Sequence, residues 1–403
     1  MTVRKHKGVW LTIASALLLH LLLSIGIAEA PSVDVQRLRS TFLSLVHIDS
    51  GMENEDVIGR WVIKRLREFT NDIVMDDAAK QLGGRGGNII ARIRGTTDAP
   101  PVLLNAHLDT VESTRGIKVV EEGDIIRTDG STILGGDDKA GIAIILEVLR
   151  VLHEKRLPHP PIEVVFTIRE EKGLLGAKVL DFSKLRAKYG FVVDGEDNPA
   201  EIIIQTPTHE SFIVTIKGRS AHAGVEPEKG INAIVVAARA IAKIRWGRID
   251  EDTTCNVGVI EGGRAINIVP DTCKLRGEIR SHNIKALDEL RHRIEQIFNE
   301  EARALGATAE VRFTQLYQGF SISPKLPVVQ AVIRALEQMG IKAIPRKIGG
   351  GSDANIFAAH GIQCVILATG ASRLHTHQEQ VSISRMHQCA QVLLRALITL
   401  ASH

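Results

Sequence analysis

The chain has 403 residues, 44% of them hydrophobic and 24% charged. That length exceeds one ordinary domain, and that composition excludes a disordered chain. Lysine and arginine number 50 against 47 aspartates and glutamates, with no basic run, so no nucleic-acid partner is expected; four cysteines exclude a disulfide scaffold.

The first 30 residues stand apart. Arg4, Lys5 and Lys7 precede an apolar run from Val9 to Ile27, which ends in Ala28-Glu29-Ala30. A basic start, an apolar stretch and an A-x-A site read as a secretory signal. The alternative is an uncleaved membrane anchor, since about 18 apolar residues just span a bilayer. Pro31 directly after the cut suits signal peptidase poorly. Both readings predict an exported protein: periplasmic, secreted, or anchored on the outer side. The segment holds three basic residues and one acidic residue, so the +3 of the whole chain becomes +1 without it.

From residue 31 to 207 the pattern alternates between helices and strands. Val57, Ile58, Trp61, Val62 and Leu66 recur at helical spacing within 54–70. Short β-rich runs follow at Asn88–Ile93, Val102–Leu108, Ile162–Ile168 and Gly190–Val193, with an apolar helix at Ala140–His153. Such alternation predicts an α/β domain with a mainly parallel sheet. Residues 208–317 read differently. Strand-like runs at Ser211–Lys217, Thr254–Ile260, Cys273–Arg280 and Ala309–Thr314 alternate with helices near Gly230–Arg245 and Lys285–Leu305. That predicts an α+β unit, two helices on a four-stranded antiparallel sheet. The α/β pattern returns over 318–403, with a helix at 326–339, a strand at Cys364–Ala368 and a last helix at Arg385–Ala401. A split α/β domain interrupted by an inserted domain is therefore expected.

Cys255, Cys273, Cys364 and Cys389 form no C-x-x-C pair, so a thiolate zinc site is not expected. A hairpin centred near Ile266 places Cys255 opposite Gly277. A Cys255–Cys273 disulfide stays open for an exported chain, with four buried free thiols the preferred reading.

The chemistry-bearing residues follow the strands. His107 and Asp109 end one apolar run, two apart and so on one face of a strand. Glu170 and Glu171 follow a second, Asp194 a third, and His375 a fourth; Asp137 and Asp138 open the apolar helix. Ligands of parallel α/β sheets bind at the carboxyl ends of strands. Two histidines and several carboxylates without cysteine describe a nitrogen and oxygen metal site, typically zinc. A bridging carboxylate would allow two ions about 3.5–4 Å apart. Of the adjacent pair Glu170-Glu171, an extended backbone would point one at metal and leave the other as a base.

These segments resemble the M20 metallopeptidase family, and most of all its peptidase T (tripeptidase) branch. The likeness rests on Asn105-Ala106-His107-Leu108-Asp109-Thr110, on the stretch from Thr128 to Gly141, on Glu170-Glu171, on Val193-Asp194, on Gly349-Gly350-Gly351-Ser352-Asp353 and on His375-Thr376-His377-Gln378-Glu379. It runs in order from about residue 35 to 400. The resemblance implies a zinc-exopeptidase-like α/β domain carrying a lid and dimerisation domain, two zinc ions per subunit (cobalt or manganese being alternatives), and a homodimer. It implies that Asp137 bridges the ions, that His107 and Asp194 complete one shell, and that Glu171 and His375 complete the other. Asp109 would orient His107, Glu170 would be the general base, and a cis peptide would follow Asp137. His222, in Gly218-Arg219-Ser220-Ala221-His222-Ala223-Gly224, would help hold the oxyanion from a partner subunit. Asn267, Arg280 and Gly351 would contact substrate, Arg280 by a bidentate grip on a peptide carboxylate.

Three patterns are decoys. His153-Glu154 and His209-Glu210 begin like H-E-x-x-H, but Leu157 and Ile213 occupy the second histidine's place. Gly83-Gly84-Arg85-Gly86-Gly87 lacks a P-loop lysine and precedes a strand, so it reads as a turn. His377 is an alternative ligand to His375. The expected function is a metal-dependent exopeptidase acting on short peptides. A carboxypeptidase or an N-acyl-amino-acid amidohydrolase is the alternative, and a non-catalytic binding protein on the same fold the distant one.

Overall fold

The computed structural model describes residues 31–51 and 54–402. The segment 1–30, with its signal or anchor reading, lies outside the described residues. Among those described, no helix is long and apolar enough to cross a membrane.

The larger sheet has eight strands. Its centre is four parallel neighbours in the order Ile162–Thr167, Val102–His107, Tyr189–Gly195 and Gln363–Ala368. The first two are buried along their whole length, as strands of a helix-covered parallel sheet should be. Ile89–Ile93 and Ile73–Met75 extend one side antiparallel. Glu201–Gln205 and Ile344–Lys347 extend the other, the first antiparallel to its neighbour. The sheet is thus mixed at its margins. The short strands 73–75, 201–205 and 344–347 were not expected, because three to five residues carry no readable periodicity. A small four-stranded sheet of Val119–Glu122, Ile125–Thr128, Gln380–Ser382 and Ala371–Ser372 was likewise unforeseen.

The second unit has its own core, which includes Phe212, Val214, Leu275, Ile279, Leu287, Ile294 and Phe298. Its four long strands are Thr208–Lys217, Thr253–Gly262, Thr272–Ser281 and Thr308–Tyr317, and a two-residue strand Gly247–Arg248 makes the sheet five-stranded. Helices Ala233–Lys243 and Ile284–Ala304 start at Asn232 and Asn283, whose side chains accept from the first free backbone N–H groups. The hairpin register departs from expectation: Cys255 faces Ile279 and Cys273 faces Gly262. The shift follows from a turn centred one residue later than expected, together with a bulge between Val257 and Val259. All four cysteines are buried and free.

Candidate metal centre and its cavity

Each central strand leads to one or two such groups at the same edge. His107 is the last residue of its strand, and Asp194 the last but one of its own. His375 lies in the loop beyond Gln363–Ala368, with φ of +59°. Glu170 and Glu171 follow Ile162–Thr167 on a single 3-10 turn, Glu170–Lys172, entered through Arg169 at φ +55°. The turn replaces the extended backbone expected there. What holds it is Asp109, whose carboxylate oxygens accept from the backbone N–H groups of Glu170 (3.0 Å) and Glu171 (3.1 Å).

Asp137 sits at the centre. His107 Nε2 lies 3.1 Å from its Oδ1, and His375 Nε2 lies 3.2 Å from its Oδ2. Asp194 Oδ1 is 3.6 Å from His107 Nε2, and Glu171 Oε1 is 2.9 Å from His375 Nε2. The ligand atoms of His107, Asp137 and Glu171, and separately of His107, Asp138 and Asp194, lie within 4.8 Å of one another. Asp138 was not expected in such a set. Its carboxylate already accepts from the backbone N–H groups of His107 (3.2 Å) and Gly141 (3.1 Å), which makes it a brace for the loop.

The peptide Asp137-Asp138 is cis. Here the helix start presses against the sheet. A Cβ on Gly141 would stand 2.0 Å from the carbonyl oxygen of Val193 and 2.4 Å from Asp138 Oδ1, so only glycine fits. Glu379 secures the same loop by accepting from the N–H groups of Leu134, Gly135 and Asp137.

The role expected of Asp109 takes a different form. His107 Nδ1 donates to the backbone carbonyl of Asp109 at 2.9 Å, while the carboxylate is 3.5 Å away. A carbonyl can only accept, so Nδ1 carries the proton and Nε2 presents its lone pair to the cluster.

Charge is crowded in this centre. Burial, then the nearby Asp194, Asp353 and Glu171, hold Glu170 well above the carboxylate range. Burial and the neighbouring Asp137 and Asp353 push Asp194 up to about 7. For Asp137 burial is outweighed by the two imidazoles, which draw it below its ordinary value. His375 is raised to about 10 by Asp137 and Glu171. An oxygen-rich set with two imidazole nitrogens, no thiolate and surplus negative charge fits divalent zinc, cobalt or manganese.

The centre forms the floor of a cavity of about 860 Å³, lined also by Arg280, Tyr317, His209 and the loop Gly349–Gly351. Arg280 and Gly351 are therefore brought to the site. His222 and Asn267 are not: both are exposed on the inserted unit, where an isolated bridge joins His222 to Ile268 and Ala223 N–H donates to the Asn267 carbonyl (2.9 Å). His377 is turned away, its Nε2 2.7 Å from Glu112. His209, dismissed with its failed H-E-x-x-H pattern, lines the cavity for another reason, its pairing with Glu278 at 2.9 Å. Tyr317 and Glu278 carried no motif and were missed.

A profile for the peptidase dimerisation domain of M20 enzymes matches residues 207–305, and one for peptidase family M28 matches residues 88–223. The uncharacterized protein YqjE of Bacillus subtilis is 39% identical over 90% of this chain and 98% of its own. The crystal structure of aminopeptidase PepT from Bacillus cereus is 37% identical, covers 92% of this chain and 99% of its own, and superposes with a TM-score of 0.86. A tripeptidase from Staphylococcus aureus is 36% identical over 92% of this chain and 100% of its own, with a TM-score of 0.89.

Proposed function

Because the chain belongs to the M20 metallopeptidase family, in its peptidase T-like branch, and is a metal-dependent peptidase, we propose that it removes the N-terminal residue from short peptides with two zinc ions and Glu170 as general base. The observation that carries this reading is Asp137, whose two carboxylate oxygens each face a different histidine. Asp137 would bridge, His107 and Asp194 would hold one ion, and Glu171 and His375 the other. Bound there, the two ions supply Lewis acidity toward water and the scissile carbonyl.

The protein's own groups do the rest. Glu170 stands at the cavity floor beside the cluster, placed to take a proton from the attacking water and return it to the leaving amine. As the water oxygen bonds to the carbonyl carbon, the C–N bond breaks and the proton leaves with the amine. Asp109 keeps Glu170 and Glu171 on their turn.

The chain carries a peptidase dimerisation domain, and the proposal extends to a homodimer. Beyond the short pairing with Gly247–Arg248, the strand Thr253–Gly262 is, among the described residues, a free sheet edge from Asn256 onward, with Val259 and Ile260 exposed. Open apolar edges invite strand addition. His222 and Asn267, exposed on the same unit, would then serve a partner's cavity. Export by residues 1–30 is also part of the proposal, and cell fractionation tests it.

The decisive assay uses zinc-loaded protein on tripeptides with free and acylated N-termini. Cleavage of the free peptides alone is expected. Preferential cleavage of N-acyl substrates would move the assignment to an amidohydrolase, and release of the C-terminal residue to a carboxypeptidase.

A further inference from the structure

Arg169 stands directly before the glutamate turn in a conformation that arginine rarely takes, with φ +55° and ψ +34°. Its neighbours use every backbone group around it. Ile168 N–H donates to Asn88 Oδ1 (3.1 Å), the Ile168 carbonyl accepts from Gly176 N–H (3.0 Å), and the Arg169 carbonyl accepts from Leu175 N–H (3.0 Å). The side chain does not turn to solvent. Arg169 is 6% exposed and lies behind the cavity, outside its lining.

A buried guanidinium needs partners, and three segments supply them. Its Nε stands 3.4 Å from Oε1 of Glu55, itself 1% exposed. Its Nη1 donates to the Leu82 carbonyl (3.5 Å) and its Nη2 to the Gly83 carbonyl. Leu82 closes the short helix Ala78–Leu82, and Gly83 opens the glycine run Gly83–Gly87. That run is pressed onto the segment carrying Glu55. An isolated bridge joins Arg85 to Asn54, and a Cβ on Gly86, at φ +98°, would lie 3.1 Å from the Asp56 backbone nitrogen. The glycine loop and the start of helix Glu55–Leu66 thus form one seat for Arg169. Glu55, Leu82 and Gly83 lie outside the cavity lining as well.

We propose that Arg169 is a positioning residue for Glu170. Seated on Glu55, Leu82 and Gly83, its guanidinium anchors the left-handed residue from which the turn departs, and so fixes the direction in which Glu170 enters the cavity. Asp109 holds the turn by the N–H groups of both glutamates, and Arg169 holds the point where the turn starts. The glycine run gains a purpose: its close approach to residues 54–56 brings carbonyls and a carboxylate to one side chain. The inference rests on the peptidase reading above, with Glu170 as its base.

The test is a double-substitution cycle in kcat, on the full zinc-loaded chain with a tripeptide substrate. Arg169→Met keeps much of the bulk and loses the charge and the donors. It should lower kcat about 10- to 100-fold, as a misplaced base does, while KM and zinc content stay unchanged. Placed on Glu170→Ala, the same substitution should change kcat by less than about twofold, because a residue acting through Glu170 has nothing left to act on. An equal loss in both backgrounds overturns the inference, as does an Arg169→Met enzyme with unchanged kcat or one that loses its zinc. If Arg169→Met does not accumulate as folded protein, Arg169→Lys decides by the same cycle. It keeps the charge but offers one nitrogen to three partners, so a smaller loss confined to the chain with Glu170 is expected; equal losses in both backgrounds, or none, overturn the inference. Failure of the unsubstituted zinc-loaded enzyme to cleave any tripeptide would overturn the peptidase reading, and the inference with it.

Discussion

The floor of the cavity and its wall are built in different ways. The floor is four neighbouring parallel strands whose ends, or the segments just beyond them, carry His107, Asp194, Glu170, Glu171 and His375, with Asp137 added from the start of a helix. Its geometry follows from backbone register, and its groups are adjacent because their strands are. The wall is side chains from two separately cored units. Arg280, Glu278 and His209 stand on the inserted sheet, Tyr317 at its last strand, and Gly351 on a loop of the larger unit. A floor fixed by parallel strands suits chemistry that demands fixed positions. A wall assembled across two units suits selection, because small displacements alter which substrate end it accepts.

That contrast can be broken in four places. The largest effect is expected at the floor's centre. Asp137→Ala should lose bound metal and activity together, measured by elemental analysis and tripeptide turnover. Metal retained in the variant would mean that Asp138 or another group is the bridge. Next comes Glu170→Ala, which should keep its metal and lose about 10²–10⁴ in kcat. Near-normal turnover would remove Glu170 from the role of base.

His222→Ala tests whether part of the wall comes from another subunit. A loss of about 10²–10³ in kcat is expected for a missing oxyanion donor. Mixing this variant with Glu170→Ala should restore part of the activity, since a mixed dimer then holds one site with both groups intact. No recovery on mixing would place His222 in service of its own chain.

The smallest effect concerns the support of the wall. His209 and Arg280 hold the Glu278 carboxyl down at about 2 although burial opposes it. A depressed acid contributes stability above its unfolded value, near 4.5, and loses it as pH falls toward 2. Glu278→Gln should therefore cost on the order of 1 kcal/mol at neutral pH, a modest figure because the carboxylate is 39% exposed and solvent-screened. The difference from the unsubstituted protein should shrink as pH falls below 4.5 and vanish near pH 2, read by thermal melts across pH. A constant difference would show that Glu278 acts through packing.

Most of the floor was legible because its motif residues lie close after apolar runs, so position in the chain predicts position at the sheet edge. His107, Glu170, Glu171, Asp194 and His375 were named that way, and Asp137 from its place at the start of the apolar helix. Asp109 was expected to orient His107; its carbonyl accepts from His107 Nδ1 while its carboxylate accepts from the glutamate turn. The wall was less legible. Tyr317 and Glu278 sit in ordinary strand sequence, and His209 was set aside for a helical zinc motif although it lies on a strand. Alternation along a strand shows which face a side chain takes, but not which residue of another unit stands opposite.

By itself the amino-acid order determined the two kinds of fold unit, the insertion of one within the other, and the carboxylates and imidazoles gathered at one edge of the sheet. These follow from local periodicity and from residues that share one chemistry. Only the tertiary structure decided the hairpin register, the absence of a Cys255–Cys273 pair, and the use of Arg280's fork by Glu278. Such facts depend on distances between segments far apart in the chain, and a donor is free or spent only once its neighbours are in place.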